Sequence, residues 1–259
     1  MFAINFNPIL LKIGFLEIRW YSLIYALGFV IFYLFLREIA KKKLIERLDK
    51  EKAELFVIYS IIGVVLGARI FYFLFYDINE LFTNPSEFFK IWNAGLSFHG
   101  GLFGFLASSW IFSRREKINF WSLIDISSVA AIFALMLGRI GNLINGELAG
   151  TEFSGPWCAV FPLYDNLCRH PYPVYAFISH MMLFFYLAVL LYVNRKRLKD
   201  FIGKKIIAAN FLIGYGVLRI ITDIWKLDSM FLFMKTGQWL SAVMIVLGVF
   251  LLVWKKKKA

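Results

Sequence analysis

The sequence predicts an all-α polytopic integral membrane protein, with seven transmembrane helices forming one helical domain over residues 1–259. Three observations predict it. The chain is 60% hydrophobic and 19% aromatic, with a mean hydropathy of +0.69, where a soluble domain is nearer half apolar. Seven apolar runs reach the roughly 17–25 residues that a span needs. Lys and Arg cluster in alternate connections between those runs.

The runs lie near 20–36, 53–76, 96–113, 120–145, 172–193, 206–225 and 238–254. The first opens at Trp20 and is followed by segment 37–52, which carries seven Lys and Arg. The second holds Gly63 and Gly67, a spacing that favours close helix packing. Its exit, 77–95, contains Asp77, Pro85 and Trp92 and reads as a short interfacial helix. The third opens Ser97-Phe98-His99-Gly100-Gly101, with Ser97, Gly101, Gly104 and Ser108 as a small-residue stripe, and ends in three basic residues at 114–117. The fourth starts near Phe120 and closes on Gly138-Arg139-Ile140-Gly141-Asn142-Leu143-Ile144-Asn145-Gly146-Glu147. Connection 146–171 carries both cysteines, Cys158 and Cys168. Two readings stand for them, a disulfide in an oxidising compartment and two free thiols. Six basic residues at 195–205 follow the fifth run and four at 255–258 follow the seventh.

Orientation follows from that alternation. One side receives twenty Lys and Arg, and the other receives six: Lys12, Arg19, Lys90, Arg169, Lys226 and Lys235. An excess of basic residues marks the cytoplasmic side. The N-terminus is therefore expected outside and the C-terminus in the cytoplasm. The net charge of +12 then reflects topology and anionic headgroups, and no basic stripe suggests nucleic acid. His99, His170 and His180 lack metal-ligand spacing, so no metal is expected. Met1 to Arg19 shows no signal-peptide pattern.

With a rise of about 1.5 Å per residue, this topology makes depth readable. Arg69, Arg139 and Asn142 fall in the outer half of their spans, Tyr215 and Arg219 from the middle into the outer half, and Tyr25 and His99 near the outer surface. Intramembrane charges are costly and mark functional sites by default. The bland reading of Arg139 is a residue that caps its own helix or snorkels to the interface. Tyr215, Arg219 and Asp223 share one helical face, and their bland reading is a self-satisfied ion pair. Asp125 lies about 21 Å along the axis from Arg139 and reads as a structural polar residue. Several arginines at the headgroup layer suit an anionic phosphate, because guanidinium gives permanent, bidentate contacts. Asn142, Asn145 and Glu147 suit headgroup hydroxyls, and His99 suits proton transfer near neutral pH.

These residues carry a resemblance. Gly138–Glu147, Ser97-Phe98-His99-Gly100-Gly101, Trp20-Tyr21-Ser22-Leu23-Ile24-Tyr25, Gly67-Ala68-Arg69, Arg169-His170-Pro171, Ile213–Arg219 and Gly237-Gln238-Trp239-Leu240-Ser241 occur in order. Over nearly the whole chain they resemble the bacterial prolipoprotein diacylglyceryl transferase family. The resemblance implies an enzyme of the cytoplasmic (inner) membrane, with its active site towards the outer leaflet. It implies transfer of diacylglyceryl from phosphatidylglycerol to the lipobox cysteine thiol of a preprolipoprotein, with a thioether formed and glycerol phosphate released. No cofactor and no metal are implied. The site expected from it has His99 as the general base, Arg139 and Arg219 on the phosphate, and Tyr25 positioning substrate. Asn142, Asn145, Glu147, Arg69, Tyr215 and Asp223 complete the phosphatidylglycerol site.

Some residues depart from the family pattern. Asp223 stands where glutamate is usual, Ser22 where glycine is usual, and Asn93 where aspartate is common. After His170-Pro171 the run is Tyr172-Pro173-Val174-Tyr175-Ala176 in place of a glutamine and a tyrosine–glutamate pair. Two alternatives follow: a phosphatidylglycerol-binding paralogue without turnover, and an anionic-lipid transporter. A transporter should show repeat symmetry and midplane charges, which seven unequal runs do not.

Overall fold

A computed structural model describes residues 2–14, 16–90 and 95–254. In chain order these form strands β1 (Phe2–Ala3), β2 (Ile9–Ile13) and β3 (Leu16–Arg19), then helices α1 (Trp20–Lys41), α2 (Lys50–Phe75) and α3 (Ile78–Thr83). A 3-10 turn (Pro85–Phe89) precedes α4 (Phe98–Glu116) and α5 (Phe120–Ile144). Strands β4 (Ala159–Val160) and β5 (Cys168–Arg169) lead to α6 (Tyr172–Val193), α7 (Leu198–Phe201) and α8 (Ile206–Thr222). Strands β6 (Met230–Phe231) and β7 (Met234–Lys235) precede α9 (Thr236–Val253). The predicted spans are all found as helices, within a few residues at each end.

Six of these helices are long and apolar enough to cross a membrane: α1, α2, α5, α6, α8 with its 3-10 extension to Trp225, and α9. The chain is thus a mostly helical, multi-pass membrane protein. Its exposed faces support that reading. Ile58, Ile62, Leu66, Ile70 and Leu74 form an exposed apolar stripe along α2, and Met182, Phe185, Val189 and Val193 form another along α6. Apolar stripes turned outward at helical spacing suit lipid and not water. Helix α4 has 19 residues but carries three glycines, three serines and a closing Arg114-Arg115-Glu116, and it does not reach the same hydropathy.

The chain divides into two compact units, residues 33–124 and residues 1–32 with 125–259. In the first of these, α2 packs on α4 through glycine. A Cβ added at Gly67 would strike the backbone of Gly100 and Gly104, and one at Gly63 would strike Gly104 and Ser108. The small-residue stripe therefore has the packing role expected of it. Asp49 caps α2 by accepting from the Lys52 amide at 2.8 Å, and Ser97 caps α4 by accepting from Gly100 at 3.3 Å. Connection 77–95 does contain short helices, α3 and the 3-10 turn; Trp92 and Asn93 lie outside the described residues.

In the other unit, α8 packs against α9 and α6. Gly216 allows the approach, since a Cβ there would lie 2.7 Å from the Ser241 carbonyl. Helix α8 starts at Lys205, whose φ is +68° and which supplies no side-chain cap. Asp125 caps it from a distance, accepting from the amides of Gly203 (2.8 Å), Lys205 (3.1 Å) and Ala208 (2.9 Å). Its structural role is thus an N-cap, where a carboxylate meets the positive end of a helix.

Connection 146–171 of this unit has structure that periodicity did not announce. Strand β1 pairs parallel with β4, which pairs antiparallel with β5. Ile4, Ala149, Ala159 and Phe161 bury a small core beneath them. Cys158 and Cys168 form a disulfide, which decides between the two readings left open by the sequence. Arg169 is buried and donates to Asp165 and to the Gly150 carbonyl at 3.2 Å. Its hydrogen bonds hold the Asp165 carboxyl below the ordinary carboxylate range.

Candidate functional site

The site is built on the end of α5, and its geometry begins with how that helix stops. Gly146 adopts φ +64°, a conformation that costs glycine little. The Gly146 amide donates to the Leu143 carbonyl at 3.1 Å and the Glu147 amide to the Asn142 carbonyl at 2.9 Å. This pair of bonds is a Schellman C-cap. It folds Glu147 back over the last turn, where its carboxylate accepts from Asn142 Nδ2 (3.2 Å) and Asn145 Nδ2 (2.9 Å). The side-chain carbonyl of Asn142 in turn accepts from Arg139 Nη1 at 3.3 Å. The stretch 139–147 is therefore one relay of charge and amide, made by a glycine turn.

Arg139 is the uncompensated member of this relay. Among the described residues it has no carboxylate within ion-pair distance, and its buried Nε has no hydrogen-bond partner. The Asn145 side-chain oxygen is likewise buried without a partner. Unmet buried donors are costly, so this guanidinium favours an anion. Helix α1 closes one side. Gly141 leaves room for the Tyr21 ring, which a Cβ would meet at 2.7 Å. Tyr21 and Tyr25 share a 3.0 Å hydrogen bond, and Tyr25 lies within electrostatic reach of Arg139 and Glu147.

A second arginine is held differently. Arg219 Nη1 donates to the Tyr215 hydroxyl at 2.9 Å and Nε to Asp223 Oδ2 at 3.3 Å. The predicted shared face is real, and the ion pair of the bland reading is present as well. Arg219 and Arg139 both lie within electrostatic reach of Tyr172 and His180, so the two cations face common neighbours. His180 is buried and stacks on Tyr215, with centroids 5.4 Å apart.

The start of α9 seats Arg219. A Cβ on Gly237 would lie 2.5 Å from Asp223 Oδ2 and 3.2 Å from Arg219 Nη2. Gln238 accepts from the Lys235 amide at 3.0 Å and donates to the Ile220 carbonyl at 3.0 Å. Lys235 Nζ donates to the carbonyls of Asp223 (2.6 Å), Ile224 (3.0 Å) and Lys226. The Gly237–Ser241 motif thus reads physically as a clasp on the end of α8.

Of the residues picked out from the sequence, Tyr25, Arg139, Asn142, Asn145, Glu147, Tyr215, Arg219 and Asp223 belong to this unit. Arg69 and His99 belong to residues 33–124. His99 is exposed in the first turn of α4, edge-on to Phe98. Arg69 is 2% exposed and is occupied. Its guanidinium donates to the carbonyls of Phe88 (3.3 Å), Gly95 (2.8 Å), Lys90 (2.8 Å) and Glu87, and lies over the Phe73 ring at 5.1 Å. Its donors hold the connection after α3. Sequence reasoning missed Tyr172 and His180, which reach the arginines only through tertiary packing. Among the described residues, no group of His, Cys, Asp and Glu has the arrangement of a metal site.

Comparison with known proteins gives one consistent answer. Residues 8–254 match the sequence profile of the family described as prolipoprotein diacylglyceryl transferase. The chain is 35% identical over 256 residues to the phosphatidylglycerol–prolipoprotein diacylglyceryl transferase of Aromatoleum aromaticum, covering 96% of this chain and 95% of the relative. It is 37% identical over 274 residues to the protein of that name from Neisseria gonorrhoeae (95% and 94% covered). It is 34% identical over 267 residues to that from Cupriavidus metallidurans (98% and 95% covered).

Proposed function

Because the chain belongs to the prolipoprotein diacylglyceryl transferase family, we propose that it moves the diacylglyceryl group of phosphatidylglycerol onto the lipobox cysteine thiol of preprolipoproteins. The thiol loses its proton, a carbon–sulfur bond forms at the glyceryl carbon, and the carbon–oxygen bond to phosphate breaks. The products are a thioether and glycerol phosphate. No redox step occurs.

The observation that supports the site assignment is the Arg139 guanidinium, which has no ion-pair partner among the described residues, sharing electrostatic neighbours with a paired Arg219. The leaving phosphate gains charge as its bond to carbon breaks, and fixed cations stabilise charge where it develops. Arg139 takes the larger share because, among the described residues, no carboxylate pairs with it. Arg219 supplies orientation, with Tyr215 and Asp223 holding it. Asn142, Asn145 and Glu147 receive the glycerol hydroxyls of the headgroup, with Tyr25 against the same group. His99 takes the thiol proton. A free thiol, with a pKa of about 8.5, is mostly protonated at neutral pH, so a base raises the reactive fraction.

In this reading α4 also spans the membrane, as the third of seven spans. The N-terminus lies outside, the C-terminus lies in the cytoplasm, and the site opens to the outer leaflet of the bacterial inner membrane. The twenty-to-six bias of Lys and Arg supports that topology, and a disulfide in the outer connection agrees with it.

The test is direct. Purified protein in detergent is incubated with phosphatidylglycerol and a lipobox peptide, and mass spectrometry follows both products. Diacylglyceryl thioether and glycerol phosphate in equal amounts are expected. Folded, lipid-binding protein that yields neither would overturn the assignment.

A further inference from the structure

Tyr172 and Asp223, on different helices, meet in one hydrogen bond. Tyr172 opens α6 and is 2% exposed, and Asp223 at the end of α8 is 0% exposed. The tyrosine hydroxyl donates to Asp223 Oδ1 at 2.6 Å, while Asp223 Oδ2 accepts from Arg219 Nε at 3.3 Å. Arg219 Nη1 is held separately by the Tyr215 hydroxyl at 2.9 Å.

The carboxylate sits in a closed seat. Tyr172 lies against one oxygen, and the other lies 2.5 Å from where a Gly237 Cβ would be. Its own backbone carbonyl is held by Lys235 Nζ at 2.6 Å. An aspartate fills that seat, and one further methylene would drive the carboxylate into the tyrosine hydroxyl or the Gly237 backbone. The pair is therefore matched: a shorter acid on α8 and a hydroxyl reaching it from α6.

We propose that Tyr172 is a positioning residue for transfer. By holding Oδ1 it fixes the plane of the Asp223 carboxylate, and so presents Oδ2 to Arg219 Nε. With Nε and Nη1 both held, the guanidinium has one orientation and its Nη2 is left for the phosphate. Tyr172 touches neither substrate in this scheme. It acts through Asp223 on Arg219, and the inference rests on the phosphate role proposed for Arg219. A longer acid at this position, Asp223→Glu, costs activity, because Tyr172 occupies the space it needs.

The experiment is a cycle of full-length variants: Tyr172→Phe, Asp223→Asn, both together, Asp223→Glu, and Asp223→Glu with Tyr172→Ser. For each, kcat and KM are measured separately for phosphatidylglycerol and for the lipobox peptide. Binding to phosphatidylglycerol nanodiscs is measured alongside. Tyr172→Phe should lower kcat/KM for phosphatidylglycerol about tenfold, the scale of one hydrogen bond to a charged group, and leave the peptide KM unchanged. That loss should vanish in the Asp223→Asn background. Asp223→Glu should lose activity, and Tyr172→Ser should restore it. Wild-type turnover in Tyr172→Phe, or a loss undiminished in Asp223→Asn, overturns the proposal. A wild-type protein without transferase activity overturns the transferase reading instead. The nanodisc measurement then decides for Tyr172: weaker phosphatidylglycerol binding in Tyr172→Phe upholds its role, and unchanged binding refutes it.

Discussion

Arg69 and Arg139 stand in similar sequence surroundings, each near the end of an apolar helix and each beside small residues, yet they are spent differently. Arg69, in the unit of residues 33–124, gives its donors to four backbone carbonyls and its face to Phe73. Arg139, in the other unit, gives one bond to Asn142 and keeps a buried Nε without a partner. The first pattern holds a loop in place. The second leaves charge and donor capacity for a ligand. An intramembrane arginine is evidence of a site when its donors are unspent, and charge in an apolar helix alone does not separate the two cases.

The comparison can be broken by removing each arginine in turn. Arg139→Gln should give the largest loss of turnover, about 10²–10³-fold, the scale seen when one transition-state donor is removed. Its melting temperature should hold or rise, because an uncompensated buried charge is gone. Equal activity in Arg139→Gln and wild type would contradict the phosphate role. Arg69→Gln should do the reverse. Four carbonyls lose their donor, so stability should fall by about 3 kcal/mol or more, read from thermal melts in detergent. Activity per folded molecule should survive, and a stable but inactive Arg69→Gln would put it back in the site.

Smaller effects sharpen the contrast. Asn142→Ala removes the contact that orients Arg139 and one support of Glu147, and should cost about tenfold in kcat/KM for phosphatidylglycerol. Lys90→Ala removes only a partly exposed side-chain pair with Glu87. It should change stability by no more than about 1 kcal/mol and turnover hardly at all, because Arg69 binds the Lys90 backbone and not its side chain.

Much of the fold was legible because its signals are local. Apolar runs of spanning length became helices, and Gly63, Gly67 and Gly104 became the close packing their spacing suggests. The Gly138–Glu147 stretch stood out too, since its polar residues lie within ten positions, but its glycine cap and the returning Glu147 carboxylate emerged only from the structure. Partners distant in sequence were not legible. Asp125 caps a helix that begins eighty residues later, and Tyr172 finds Asp223 across fifty-one residues. His180 lies buried against Tyr215 with no spacing to announce it. The strands of residues 2–3, 159–160 and 168–169 are too short to show an alternating pattern. The carbonyls that Arg69 holds were not legible either, because they come from a loop whose path the sequence does not show.

If Arg139 holds the anion and Arg69 the loop, binding of phosphatidylglycerol and of uncharged diacylglycerol to equal amounts of folded wild type, Arg139→Gln and Arg69→Gln separates the two roles. Arg139→Gln should lose the preference for the anionic lipid, while the Arg69→Gln molecules that fold should retain it. Retention of that preference by Arg139→Gln would mean that the anion is held elsewhere.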